Sequence, residues 1–213
     1  MSKEFNLIKN GKTARVLAMI FIAIALVLEA IEFFIGASHN FKFESLFLFV
    51  FDLIANGLIL GALFFKNVPL IETGLIVVKV FDGTYYPLSS SRKLDVLVRL
   101  SNIDAINICE HVIFALAAFA LLVALLFFCL YKFRGVRHAW DVMKILLLGA
   151  ALLMMASIVI SSIEVSRGAS NWHEVLEPTF LTILFLGMFA TCEYTEEQTV
   201  FIKEKRKEKK TSH

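Results

Sequence analysis

The sequence predicts an all-α chain: a polytopic integral membrane helical bundle with five strong membrane segments and one short or re-entrant segment. Three observations carry that expectation. The 213 residues are 58% hydrophobic and 19% charged, with mean hydropathy +0.75, against roughly 45–50% and about 25% in soluble domains. The excess is gathered into blocks near the roughly 20 residues that span hydrocarbon. Those blocks do not alternate polar and apolar residues, so a transmembrane β-barrel does not fit.

Residues 1–15 form a short basic N-terminus with Lys3, Lys9, Lys12 and Arg15. The first apolar segment, 16–35, is longer than a signal-peptide core and carries Glu29 and Glu32 near its end. It is read as an uncleaved membrane helix. The second segment, 45–65, holds Asp52 and Asn56 at i, i+4 on one face. It also holds Gly57-x-x-x-Gly61, a spacing at which helix backbones can approach closely. Lys66-Asn67-Val68-Pro69 breaks the run. Segment 70–81 is short and interrupted by Glu72, Gly74 and Lys79. It can be a short crossing, a re-entrant arm, an interfacial helix or, from its Val and Ile, a strand.

An amphipathic outer segment is expected at about 82–108. Turn chemistry at Asp82-Gly83 and Pro87 precedes an apolar stripe of Val96, Leu97, Leu100 and Ile103. Residues 104–111 then enter the next span with unusual polarity. Asp104, Asn107 and His111 recur at i, i+3 and i+7 on one helix face, with Glu110 at its edge. Segment 112–131 follows and includes Ala120-x-x-x-Ala124. A basic connector, 132–144, carries Lys132, Arg134, Arg137 and Lys144. Segments 145–163 and 179–195 complete the bundle, so the membrane region is 16–195. Residues 196–213 form a basic tail, expected to be solvated or disordered.

Charge placement orients these segments. With both termini and the 132–144 connector cytoplasmic, 15 Lys and Arg lie inside and 6 outside; a strict five-span order divides them 10 to 11. The first arrangement needs an even number of crossings. It places the chain in the plasma membrane with cytoplasmic termini, and it brings Glu29, Glu32, Asp52, Asn56, Asp104, Asn107, Glu110 and His111 towards one outer level. Together they are candidates for an acidic vestibule that binds a cation or cationic ligand. The plainer reading is that residues near helix ends reach interfacial water.

Catalytic motifs are not found: there is no P-loop, no G-x-S-x-G and no H-E-x-x-H. Cys109, Cys129 and Cys192 are isolated, which gives no zinc-ribbon or redox pair. No aromatic-basic surface points to nucleic acid, and no motif identifies a cofactor. The expectation is an accessory, regulatory or assembly subunit in the lipid bilayer. Its contact with a protein partner or a second copy would use Gly57, Gly61, Ala120 and Ala124. A small cation transporter or channel-like protein is the first alternative. An intramembrane metal-dependent enzyme using Glu29, Glu32, Glu110 and His111 is the second, ranked last because no H-x-x-x-H or E-x-x-H spacing fixes a geometry.

Overall fold

A computed structural model of the chain describes residues 8, 10–40, 43–78, 105–168 and 172–211. Among the described residues there are helices and turns and no strand. The helices are α1 (Gly11–Asn40), α2 (Phe43–Phe64), α3 (Val68–Val78), α4 (Ala105–Arg134), α5 (Arg137–Ser166) and α6 (Leu176–Thr211), with a 3₁₀ turn at Trp172–Val175. Five of them, all but α3, are long and apolar enough to cross a membrane. They coincide with the five strong segments of the sequence.

Residues 70–78 of segment 70–81 are helical, so the strand alternative falls there, and residues 79–81 lie outside the described residues. Ile71, Leu75 and Val78 recur on the buried face of α3. At about 1.5 Å per residue α3 is roughly 16 Å long, about half the hydrocarbon thickness. Residues 82–104 of the expected amphipathic segment, Asp104 among them, lie outside the described residues, and the remainder opens α4. The tail corrects the expectation of disorder, because α6 continues unbroken to Thr211. Its Gln, Glu, Lys and Arg are straight-chain residues that lose little freedom in a helix, so a charged run need not end one.

Burial makes α6 the central helix. Its apolar window is 72% buried, against 22–33% in the other four long helices. Leu181, Leu184, Phe185 and Met188 form one core with Ile22 of α1, Leu147 and Met154 of α5 and Leu121 of α4. Close approach to α1 depends on Gly187, where an added Cβ would lie 2.9 Å from Ile22 Cγ1 and 3.2 Å from Phe21 Cβ. The hydroxyls of Thr182, Thr191 and Thr195 donate to the carbonyls of Pro178, Gly187 and Thr191, one turn back. Such local bonds let a polar side chain sit in a packed interior without an orphan donor.

Specific contacts fix which helix ends meet. Arg15 Nη2 donates to Phe64 O at 3.4 Å, and Phe33 stacks on Phe49 with centroids 4.5 Å apart. The α1–α2 pair is therefore antiparallel. Tyr131 and Phe128 of α4 pack on Trp140 of α5, beside a turn that needs Gly135 at φ +69. Lys132 of α4 forms an ion pair with Glu72 of α3. The starts of α1, α3 and α5 thus share one end of the bundle, the connector end, with the ends of α2 and α4. α2 finishes there, and α4 begins at the opposite end.

The α2–α3 corner has no slack. Lys66 adopts φ 55, while Lys66 N–H donates to Leu63 O and Asn67 N–H to Ala62 O. These bonds close α2 in a Schellman motif with lysine at the position glycine usually takes. The adjacent Asn67 Oδ1 accepts from Leu70 N–H at 3.3 Å and caps α3.

Outward faces are apolar. Val16, Ile20, Ile24, Val27, Ile31 and Phe34 make an exposed stripe along α1, and Leu53, Ile54 and Leu58 lie exposed on α2. Among the described residues, Gly57 and Gly61 have nothing within 4 Å of an added Cβ. Ala124, by contrast, is fully buried in the core. It packs within the chain, which removes it from the expected partner surface.

These contacts separate the glycines by consequence. Gly187→Ala is expected to destabilise the fold by about 1–3 kcal/mol through overpacking. Gly57→Ala should leave stability unchanged or raise it by up to about 1 kcal/mol through helix propensity. Lys66→Gly should stabilise by about 1–2 kcal/mol by relieving the left-handed backbone. Thermal unfolding of the purified protein in detergent measures all three.

Candidate functional site

Polar side chains collect at both ends of the bundle. At the end opposite the connectors, Glu110 of α4 faces the last turns of α5. Ser161 Oγ donates to Glu110 Oε1 at 2.6 Å, and Ser157 Oγ lies 3.4 Å from the same oxygen. Ser161 Oγ is also 3.0 Å from Ser157 O. A hydroxyl has one proton to donate, so the shorter contact with the carboxylate dominates. Glu164 follows on the same buried face at 5% exposure.

The other expected site residues divide into two groups. Glu29 is buried at 7% exposure and Asn56 at 1%, while Glu32 and Asp52 are half-buried. Continuing the α1–α2 register from the Phe33–Phe49 stack puts Glu29 level with Asp52. His111 is half-buried on α4, and Asn107 lies in α4 with its side chain outside the described set. α6 runs between α1 and α5, so the α1–α2 group and the Glu110 group flank different sides of the central helix. They share a level at one end of the bundle, and the structure pairs Glu110 with two serines. No group of three or more His, Cys, Asp and Glu is arranged to hold a metal ion among the described residues.

The denser cluster lies at the connector end, and the sequence reading missed it. Lys144 of α5 has a fully buried side chain. Its Nζ donates to Glu196 Oε2 at 2.6 Å and lies 3.4 Å from both Glu193 Oε1 and Asp141 Oδ1. Glu193 is buried at 1%, while Glu196 and Asp141 retain 20% and 21% of their side-chain exposure. The geometry joins two i, i+3 pairs, Asp141–Lys144 on α5 and Glu193–Glu196 on α6, across one helix interface. Lys144 had counted as a connector charge and Glu196 as the start of the tail. A signal was present: Trp140, Met143, Leu147, Ala150, Ala151 and Met154 mark the buried stripe of α5, and Lys144 stands in the middle of that periodicity.

Between these ends lies a tightly packed apolar layer. A small cleft bounded by Phe114, Ala117, Ala118, Leu121, Met154, Leu181 and Phe185 is lined by apolar side chains alone. Lys144 and Ser157 are 13 residues apart on one helix, which is about 20 Å of rise. The two polar ends are thus separate sites. No protein-family model, curated protein or solved structure matches the chain.

Charge removal distinguishes the clusters. Lys144→Met keeps the apolar stem but leaves Glu193 buried without its cation, and should destabilise by about 3–5 kcal/mol. Adding Glu193→Gln and Glu196→Gln to that variant should restore most of the loss. Ser161→Ala should cost about 1–3 kcal/mol by depriving the half-buried Glu110 of its short bond. Chemical or thermal unfolding of the four proteins provides the comparison.

Proposed function

We propose that the protein is an integral membrane protein, resident in the plasma membrane with both termini cytoplasmic, and acts as an accessory or assembly subunit. The observation that carries the reading is the open face of α2. Among the described residues, nothing lies within 4 Å of a Cβ added at Gly57 or Gly61, and Leu53, Ile54 and Leu58 flank them in exposed positions. Small residues beside large apolar ones offer a second helix a close-packing surface in lipid, where backbone approach supplies much of the association energy. The partner is another membrane protein or a second copy of this chain.

Two further features support the proposal. The apolar layer around Leu121, Met154, Leu181 and Phe185 separates the polar ends, an arrangement suited to a rigid subunit rather than a conducting one. Charge asymmetry also persists after Lys144 is assigned to the interior: 14 Lys and Arg remain on the side of the termini and 6 on the other. In this orientation Glu110 with Ser157 and Ser161 faces outwards, and forms the lip of a vestibule that accepts a cationic group from solvent or from a partner.

Extraction of the protein from its own membranes in mild detergent tests the assembly role. A complex larger than the 24.0 kDa chain is expected. Gly57→Leu combined with Gly61→Leu should release the monomer without lowering its melting temperature. A monomer from native membranes, or cation flux into vesicles holding the purified protein alone, would overturn the proposal. Orientation has its own measurement. On a cysteine-free background, Arg167→Cys should react with an impermeant maleimide on intact cells, and Arg134→Cys only after the membrane is opened.

A further inference from the structure

The α1–α2 corner at the connector end gathers cations without acids. Arg15 Nη2 reaches across to Phe64 O at 3.4 Å. In an antiparallel pair that contact levels Lys12, three residues nearer the start of α1, with the end of α2, where Lys66 stands. Lys12 and Arg15 share one face of α1. Asn10 Oδ1 accepts from Lys12 N–H at 3.0 Å and fixes where that helix begins. Its first turn carries no acid. The ion pairs at this end lie elsewhere, Glu72 with Lys132 and Asp141, Glu193 and Glu196 with Lys144. Among the described residues no carboxylate forms an ion pair with Lys12, Arg15 or Lys66.

Two further observations mark the corner. Lys66 is exposed and holds φ 55, a left-handed backbone that glycine adopts without steric cost. The chain keeps a lysine where its backbone favours glycine, and strain retained at one charged side chain points to a use for that side chain. Arg15 has spare donors as well: its Nε donates to no acceptor among the described residues. Beside these cations lies bare apolar surface. Phe64 and Phe65 are exposed and pack edge to face at 5.4 Å, and Val16 next to Arg15 is exposed too. Cations at the rim of an aromatic surface match an amphiphile with negative charge at its head and hydrocarbon behind it.

We propose that this corner binds the phosphate-bearing headgroup of an anionic phospholipid in the leaflet on the connector side. Lys12 and Arg15 of α1 and Lys66 of α2 hold the headgroup, and Phe64 and Phe65 lie against the acyl chains. The site rests on the membrane placement given above, in which this end is cytoplasmic and the facing leaflet carries the anionic lipids. The Arg15 guanidinium offers paired N–H donors to two phosphate oxygens, while the two ammonium groups act as point charges. One bound headgroup ties the start of α1 to the end of α2 and supplies the counter-charge that the described chain does not.

Native mass spectrometry of the full-length protein, released from micelles holding equal amounts of phosphatidylglycerol and phosphatidylcholine, provides the test. The wild type should retain phosphatidylglycerol in preference. Lys66→Gly, which relieves the backbone and so does not weaken the fold, should lower that preference about fivefold. Lys12→Gln combined with Arg15→Gln should abolish it. Arg134→Gln removes one cation from the α4–α5 corner and should change the preference by less than about twofold. Inorganic phosphate should not displace the lipid, because it has no acyl chains to set against Phe64 and Phe65. Equal retention of the two lipids by the wild type, equal losses in Lys66→Gly and Arg134→Gln, or displacement by inorganic phosphate would overturn the proposal. Membrane placement has a separate readout. Protein that leaves its own membranes in alkaline buffer without detergent refutes that placement and the site with it, whereas protein that stays but shows no lipid preference refutes the site alone.

Discussion

A lysine ammonium with no exposure must be neutralised by its neighbours, and that requirement sets the register of α5 against the central helix α6. Lys144 can meet Glu193 and Glu196 only if α5 and α6 run antiparallel, with the start of one beside the end of the other's apolar stretch. Shifting either helix by one residue turns these groups by about 100° and separates them. Once this pair is aligned, the apolar stripe of α5 falls opposite Leu181, Leu184 and Phe185. Its serines reach the level of Glu110. The ion cluster and the Ser–Glu bonds are thus opposite ends of the same alignment.

The threonines of α6 solve the related problem of polarity within the core. Their hydroxyls donate to carbonyls of the helix that carries them, so each proton is used without calling on α1 or α5. Carboxylates cannot do this. They draw in Lys144 at one end and Ser157 and Ser161 at the other, leaving the centre to shape complementarity alone. There Gly187 matters because it removes a side chain and lets α1 approach; it contributes no attractive group of its own.

Much of the architecture was legible in the sequence because apolar length is a one-dimensional property. The five long helices and the turn at Lys66-Asn67 needed no knowledge of neighbours. The Lys144 cluster was harder to see because two segments 49 or more residues apart supply its charges. Lys144 was counted by proximity to basic residues, although its spacing from Met143 and Leu147 placed it on a buried stripe. Glu193 lies inside an apolar run and belongs to no local motif. Conversely, the grouping of all outer acids rested on depth alone, and depth cannot say on which side of a central helix a residue stands. The smallness of Gly57 and Ala124 was visible too, but only tertiary packing separated the open face from the buried one.

The central position of α6 has a consequence for biogenesis. α6 follows the other four long helices in the sequence, so it is synthesised after the helices it packs against. Until it arrives, Ile22 and Met154 lack the α6 side chains that complete their core, and Lys144 has Asp141 but neither Glu193 nor Glu196. Before then the long apolar stem of that lysine lets its ammonium reach water. α6 then encloses it in the bundle, so that packing of the centre and burial of the charge become one event.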